Sequence, residues 1–350
     1  MSLLGKKVEQ SQKAGDGAEQ IQIGQQINNY GASPSEVVSI ASSVYSQMHD
    51  LALKQYADIA TDIANHKIDA LGQTLFPRLE EIEGAMEHFM DPKFQFLTQE
   101  AQISAIKSDR DEDLKMLSEL LVCHIEKGEN RKVNAGITRA IRIVNEIDSD
   151  SLCAMTILYT LLNIMPTTGD IRRGLSAMDF LFNSLKFTPL PYGYDWIDNL
   201  VVLGAVNLRS GNFYKLNKII SDRWDGYVCA GIPVDSDNYQ KALTLLSDIG
   251  FPSNVLVDND CLPGYKRIAT ISQGNLTKLQ PIFELYDKTD ASIKKASDNF
   301  FKLWDEHWTL KEIRIWFEAI PAYFTINSVG KALAQTNGKR CFAGFPDLLE

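Results

Sequence analysis

The sequence predicts a mainly α protein: a helical bundle with a long N-terminal helix, then a second, mostly helical unit with one small β-hairpin. Three observations carry that expectation. Apolar residues recur at spacings of three and four from Val37 to Leu75 with no Pro among them. Most of the remaining chain repeats the same period in segments separated by a few turn-forming residues, the pattern of neighbouring antiparallel helices. Finally, Asn254–Val257 and Lys266–Ile271 flank the turn-rich Asp258-Asn259-Asp260 and read as a hairpin.

Residues 1–33 are poor in large apolar side chains and rich in Gly, Gln, Ser and Lys. Such a segment is either disordered or a short strand, because it cannot bury enough surface to offset its own ordering entropy. The alternation Gln20-Ile21-Gln22-Ile23 is the period of a half-buried strand, which needs an edge of the same fold or of another copy to pair with.

The long helix begins at Ser33-Pro34-Ser35-Glu36, where serine caps, proline suits the first turn and glutamate favours the positive end of the dipole. Val37, Ala41, Val44, Met48, Ala52, Tyr56, Ile59 and Ile63 mark one face, and Ile40, Leu51, Ile68, Leu71 and Leu75 widen it. A helix of this extent is on the order of 60 Å long at 1.5 Å per residue. Few surface helices of a compact domain run so far, so this one is expected to pack against several partners or to extend into a subunit interface.

Pro77 and Asp91-Pro92 divide the next segments. Helices are expected over 94–106, 112–125, 133–147, 151–165 and 171–185, so that residues 34–188 form one all-helical domain. Thr188–Tyr194, with two prolines and a glycine, reads as a linker to a second domain over 189–350. That domain is expected to hold helices over 196–208, 213–224, 237–249, 275–286, 291–304 and 310–320, the hairpin, and an irregular tail from Gly338.

Composition narrows the function classes. An apolar fraction of 45% and a charged fraction of 23% are ordinary for a globular protein. The net charge of −10 argues against a broad surface for nucleic acid or anionic membrane. The longest apolar stretch, Leu152 to Met165, falls short of the roughly 20 residues a spanning helix needs. Five scattered cysteines with no CxxC pair fit buried thiols in a reducing cytoplasm.

Motifs with chemistry are sparse. The Gly-Lys pairs do not complete a phosphate-cradling loop, GxGxxG and GxSxG are absent, and the five histidines share no ligand spacing. Ser292-Ile-Lys-Lys295 and Ser328-Val-Gly-Lys331 place serine one helical turn before lysine but lack the companion motifs of that enzyme class. The acidic runs 109–113, 235–237 and 258–260 suit helix caps and turns. No catalytic residue, cofactor or metal site is therefore expected.

The aromatic-rich stretch Phe300 to Phe324 is expected to be mainly core, since each ring must bury a large area. The phrase Ala322–Ala334 resembles the end of a winged-helix domain, with Leu245–Phe251 and the following hairpin as its other piece. On that reading Lys311, Arg314, Lys331, Lys339 and Arg340 would contact nucleic acid.

The segment AGDGAEQIQIGQQINNYGASPSE, with Asp91–Gln95, Ala101–Ser104 and Tyr323–Ala334, resembles a family of uncharacterised bacterial proteins. In that family a Gly-Asp-Gly…Ile-Gln-x-Gly stretch precedes a long helix and a helical body. The resemblance implies a bacterial cytoplasmic protein with no catalytic assignment, and by association an accessory part in defence against mobile elements.

The expected function is non-enzymatic assembly with a protein partner, foremost a second copy of this chain. Ile21, Ile23, Ile27 and Tyr30 would supply apolar contacts from the first segment, with Val37, Val44 and Met48 from the helix. Stacked glutamines would add a hydrogen-bonded ladder. The alternative is nucleic-acid binding through the winged-helix-like unit.

Overall fold

The structure is a computed structural model that describes residues 34–128, 130–211, 215–269 and 273–349. It is mainly α, as the periodicity predicts. The chain parts into two compact units, 1–64 and 65–350. The first helix, α1 (Pro34–Glu80), crosses that boundary and runs through Pro77, where a break was expected. Proline removes a single helical donor, and the buried Leu75 and Leu79 on either side of it hold the last turns in place.

In the second unit, the helices α2 (Pro92–Lys107), α3 (Asp111–Glu126), α4 (Arg131–Ile143), α5 (Ser149–Asn163) and α6 (Ile171–Leu185) follow closely on the expected bounds. The starts of α2, α4, α5 and α6 are set by side chains that accept from the first free backbone amides, as helix ends require, whereas α3 begins without such a cap. Asp91 accepts from Lys93 N at 2.9 Å, Asp148 from Ser151 N at 2.7 Å and Asp170 from Arg173 N at 3.0 Å. α5 is buried on all sides from Ser151 to Leu161, which explains the apolar run too short for a membrane.

The second half departs from expectation in several places. α7 (Asp195–Val202) stops early because Gly204 takes φ 68°, a left-handed value that suits glycine past a helix end. The chain then enters β1 (Val206–Leu208) instead of continuing as helix to Leu208. After α8 (Leu216–Arg223) and α9 (Asp237–Asp248), the hairpin β3 (Leu256–Asp258) and β4 (Tyr265–Ile268) forms where predicted. β2 (Ile232–Pro233) joins the other edge of β4, making a three-stranded antiparallel sheet.

Helices α10 (Gln273–Phe283), α11 (Asp290–Asp305) and α12 (Trp308–Glu318) lead to β5 (Phe324–Ile326), which pairs antiparallel with β1. The last helix, α13 (Ser328–Cys341), is capped by Asn327 and extends past Gly338, where the tail was expected to be irregular.

The main core runs from Leu71 to Leu349 and therefore spans both expected domains. α13 packs on α3, α4 and α5, so the end of the chain is set into the first helical bundle. The Pro-rich segment between them is pinned, since Trp316 Nε1 donates to Pro191 O at 2.8 Å and Leu190 is buried. The compact units accordingly part at 64/65, and the 188/189 break is covered on both sides by one core. A smaller core joins α9, α10 and the three-stranded sheet through Leu246, Leu256, Ile268 and Leu279. The two winged-helix-like pieces thus sit in different cores.

After α13 the chain is tied down by side chains. Gln335 Nε2 donates to Pro346 O at 2.8 Å, and its Oε1 accepts from Leu348 N at 3.0 Å. Lys127 pairs with Asp347 at 3.0 Å.

One half-buried titratable group makes stability pH-dependent. Burial in α3 lowers the pKa of His124 from 6.5, and nearby His88 adds to the effect. Below the unfolded value the unfolded chain takes a proton that the fold resists, so stability is lost as pH falls through that window. The urea midpoint is expected to drop between about pH 7.5 and about pH 5.5, with a smaller drop in His124→Gln. Equal drops in the two proteins would remove His124 from the explanation.

Candidate functional site

Within residues 34–64, the described large apolar side chains of α1 are exposed. Val44 is 45% exposed, Met48 68% and Tyr45 72%. At 100° per residue, Ile40, Val44, Met48, Tyr45 and Val38 fall within a sector of about 160°. Ser39, Ser42, Ser43, Ser46 and Gln47 occupy the remainder of the circumference. An amphipathic helix normally has its apolar stripe against a core. Here it faces solvent over three turns. Ile59 and Ile63 continue the same sector and are also exposed, with Asp58 and Asp62 entering beside them. Tyr45 and His49 stack one turn apart, with ring centroids at 6.1 Å.

Of the residues expected to mediate assembly, Val44 and Met48 lie in this exposed sector. Val37 is in the helix, but its side chain lies outside the described residues, as do Ile21, Ile23, Ile27 and Tyr30. Within the second unit, the final turns of α1 and helix α2 border an apolar groove of about 640 Å³. Ile68, Gly72, Phe76, Phe89 and Thr98 line it.

Three of the five cations considered for nucleic acid are engaged inside the fold. Arg314 makes a two-pronged contact with Asp305, with Nε to Oδ1 at 2.7 Å. Lys339 lies 3.1 Å from Glu119 and 3.8 Å from Glu126. Burial opposes its charge, but those carboxylates outweigh burial and hold its pKa above the ordinary value. Arg340 donates twice to Asn337 Oδ1, at 2.9 and 2.8 Å, and sits over the Phe187 ring. Lys311 is exposed on α12, and Lys331 borders a cleft on α13.

The other chemical candidates are absorbed by local structure. Ser292 Oγ donates to Asp287 Oδ2 at 2.7 Å, fixing the start of α11. Asp113 accepts from Ser108 Oγ at 2.5 Å and pairs with Arg110, while burial pushes its carboxyl above the usual range. Asn259, within the acidic turn, donates to Cys229 O and Ala230 O. Among the described residues no group of three His, Cys, Asp or Glu side chains is placed to hold a metal ion. The cysteines are free, and burial pushes the Cys229 and Cys261 thiols up to about 12, which leaves little nucleophilic thiolate.

Two features had no local signal. Arg267 is buried and donates to Gly169 O at 2.6 Å and Gly226 O at 3.1 Å, carbonyls far away in sequence. Arg223 and Lys331, far apart in sequence, line one cleft only through tertiary packing.

The fold and the surface define a mainly helical protein whose most distinctive exposed feature is an apolar helix face. Among the described residues no helix is long and apolar enough to cross a membrane. A family model matches residues 31–349, nearly the whole chain, and the chain belongs to that family, one of uncharacterised type. No curated protein and no solved structure matches it.

Proposed function

We propose that this chain is a non-enzymatic assembly protein that self-associates through the first half of α1, with the preceding segment completing the contact. The supporting observation is the solvent-facing apolar sector from Val38 to Met48, which a second copy of the same helix would cover. Helix-on-helix pairing suits it, because the sector is wide and its serine-rich remainder stays in water. By the family resemblance, the setting would be the bacterial cytoplasm, as an accessory in defence against mobile elements.

Light scattering after size exclusion tests the reading. The full chain is expected as a defined oligomer, and a chain starting at Ser33 as a smaller one with nearly unchanged helicity. Val44→Asp combined with Met48→Asp is expected to reduce the full chain to monomer, because two carboxylates would have to leave water at the contact. A full-length monomer, or an oligomer that ignores both changes, would sink the proposal.

A further inference from the structure

A cleft of about 400 Å³ opens within the second unit where the end of α5, helix α8, strand β5 and the start of α13 meet. Its wall is apolar, formed in part by Leu162, Ile219 and the buried Phe324, and its exposed rim carries Asp222, Arg223 and Lys331. The volume falls in the range of small-molecule sites, which combine an apolar wall with a few converging polar groups.

The charges make the cleft unusual for this chain. The protein carries a net charge of −10, yet among the described residues neither Arg223 nor Lys331 makes an ion pair. They come from elements more than a hundred residues apart and converge on one opening. Arg209 also reaches this wall, donating through Nε to Thr325 Oγ1 at 3.2 Å. Lys331 stands in the first turn of α13, which has no acidic residue, so the helix dipole disfavours the lysine charge. An anion bound between the two cations would relieve that arrangement.

We infer that this cleft binds a small aromatic phosphate ester of mononucleotide size. The phosphate sits between the Arg223 guanidinium fork and the Lys331 ammonium, where charge-assisted hydrogen bonds are strong. The ring system lies on the apolar wall, and Asp222 accepts from a hydroxyl or amino group of the ligand. This reading does not depend on self-association.

Isothermal titration of the full chain with AMP, adenosine, inorganic phosphate and a short single-stranded oligonucleotide tests it. AMP is expected to bind saturably at one site per chain, at least about tenfold tighter than adenosine or phosphate. Arg223→Gln and Lys331→Gln are each expected to weaken AMP by about tenfold or more, whereas Lys311→Gln, outside the cleft, leaves it unchanged. The inference is overturned if AMP does not saturate, if phosphate or adenosine alone binds as well, or if only the oligonucleotide binds. Binding that survives both cleft substitutions would overturn it too. The wild-type titrations decide even if one variant fails to fold.

Discussion

Replacing Trp304 with alanine is expected to lower the unfolding free energy by about 3–5 kcal/mol, whereas Trp308→Ala is expected to change it by no more than about 0.5 kcal/mol. The two tryptophans are four residues apart on neighbouring helices, yet Trp304 is 0% exposed and Trp308 76%. Trp304 packs against Trp224 at 5.5 Å, Phe301 at 5.9 Å and Phe300 at 6.1 Å between ring centroids, and its Nε1 donates to Leu310 O at 2.7 Å. Truncation removes these contacts, leaves a carbonyl short of a donor and opens a cavity that the surrounding rings cannot close without leaving their rotamers. Urea unfolding followed by far-ultraviolet circular dichroism measures both variants. Similar losses at the two positions would mean that the cluster around Trp304 is not a principal support of the fold.

The second large effect is expected at Gly330. A Cβ at this position would lie 2.3 Å from Ala205 O, 2.8 Å from Ile326 Cγ2 and 3.0 Å from Met155 Sδ. The carbonyl belongs to the backbone leading into β1, so it cannot swing away as a side-chain tip would. Gly330→Val is therefore expected to cost about 3 kcal/mol, at the upper end for overpacking, because either α13 or the β1–β5 pairing must shift. The higher intrinsic helix propensity of most residues over glycine, about 1 kcal/mol at best, is too small to compensate. The same denaturation experiment checks it, with Lys331→Val as the neighbouring exposed control. Equal stability of Gly330→Val and wild type would mean that the close approach is not maintained in solution.

The pair Gly330 and Trp304 shows how much of the fold could be read in advance. Helices α2 to α6 were legible because their apolar period, and the Asp or Asn caps of all but α3, are local properties, decided within a turn or two of chain. The hairpin β3–β4 was legible for the same reason, since its turn residues lie between its strands. β1 reads locally as the end of a helix, because its partner β5 lies more than a hundred residues away and Gly204 carries the local sign of a stop.

The candidate sites divide in the same way. The exposed sector of α1 could be anticipated at Val44 and Met48, whose spacing defines a face wherever the helix lies. That Arg314, Lys339 and Arg340 are held by Asp305, by Glu119 and Glu126, and by Asn337 could not be anticipated for all three. The Glu119–Lys339 pair depends on α13 folding back onto the first bundle. The sequence by itself determined the helical class, most element boundaries and the amphipathic face of α1, because these follow from periodicity and capping over short stretches. Only the tertiary structure decided that α13 belongs to the central core, that one core spans the Pro-rich segment, and that Arg223 and Lys331 share a cleft. Those outcomes depend on which apolar faces meet across long separations, where burial outweighs any local preference.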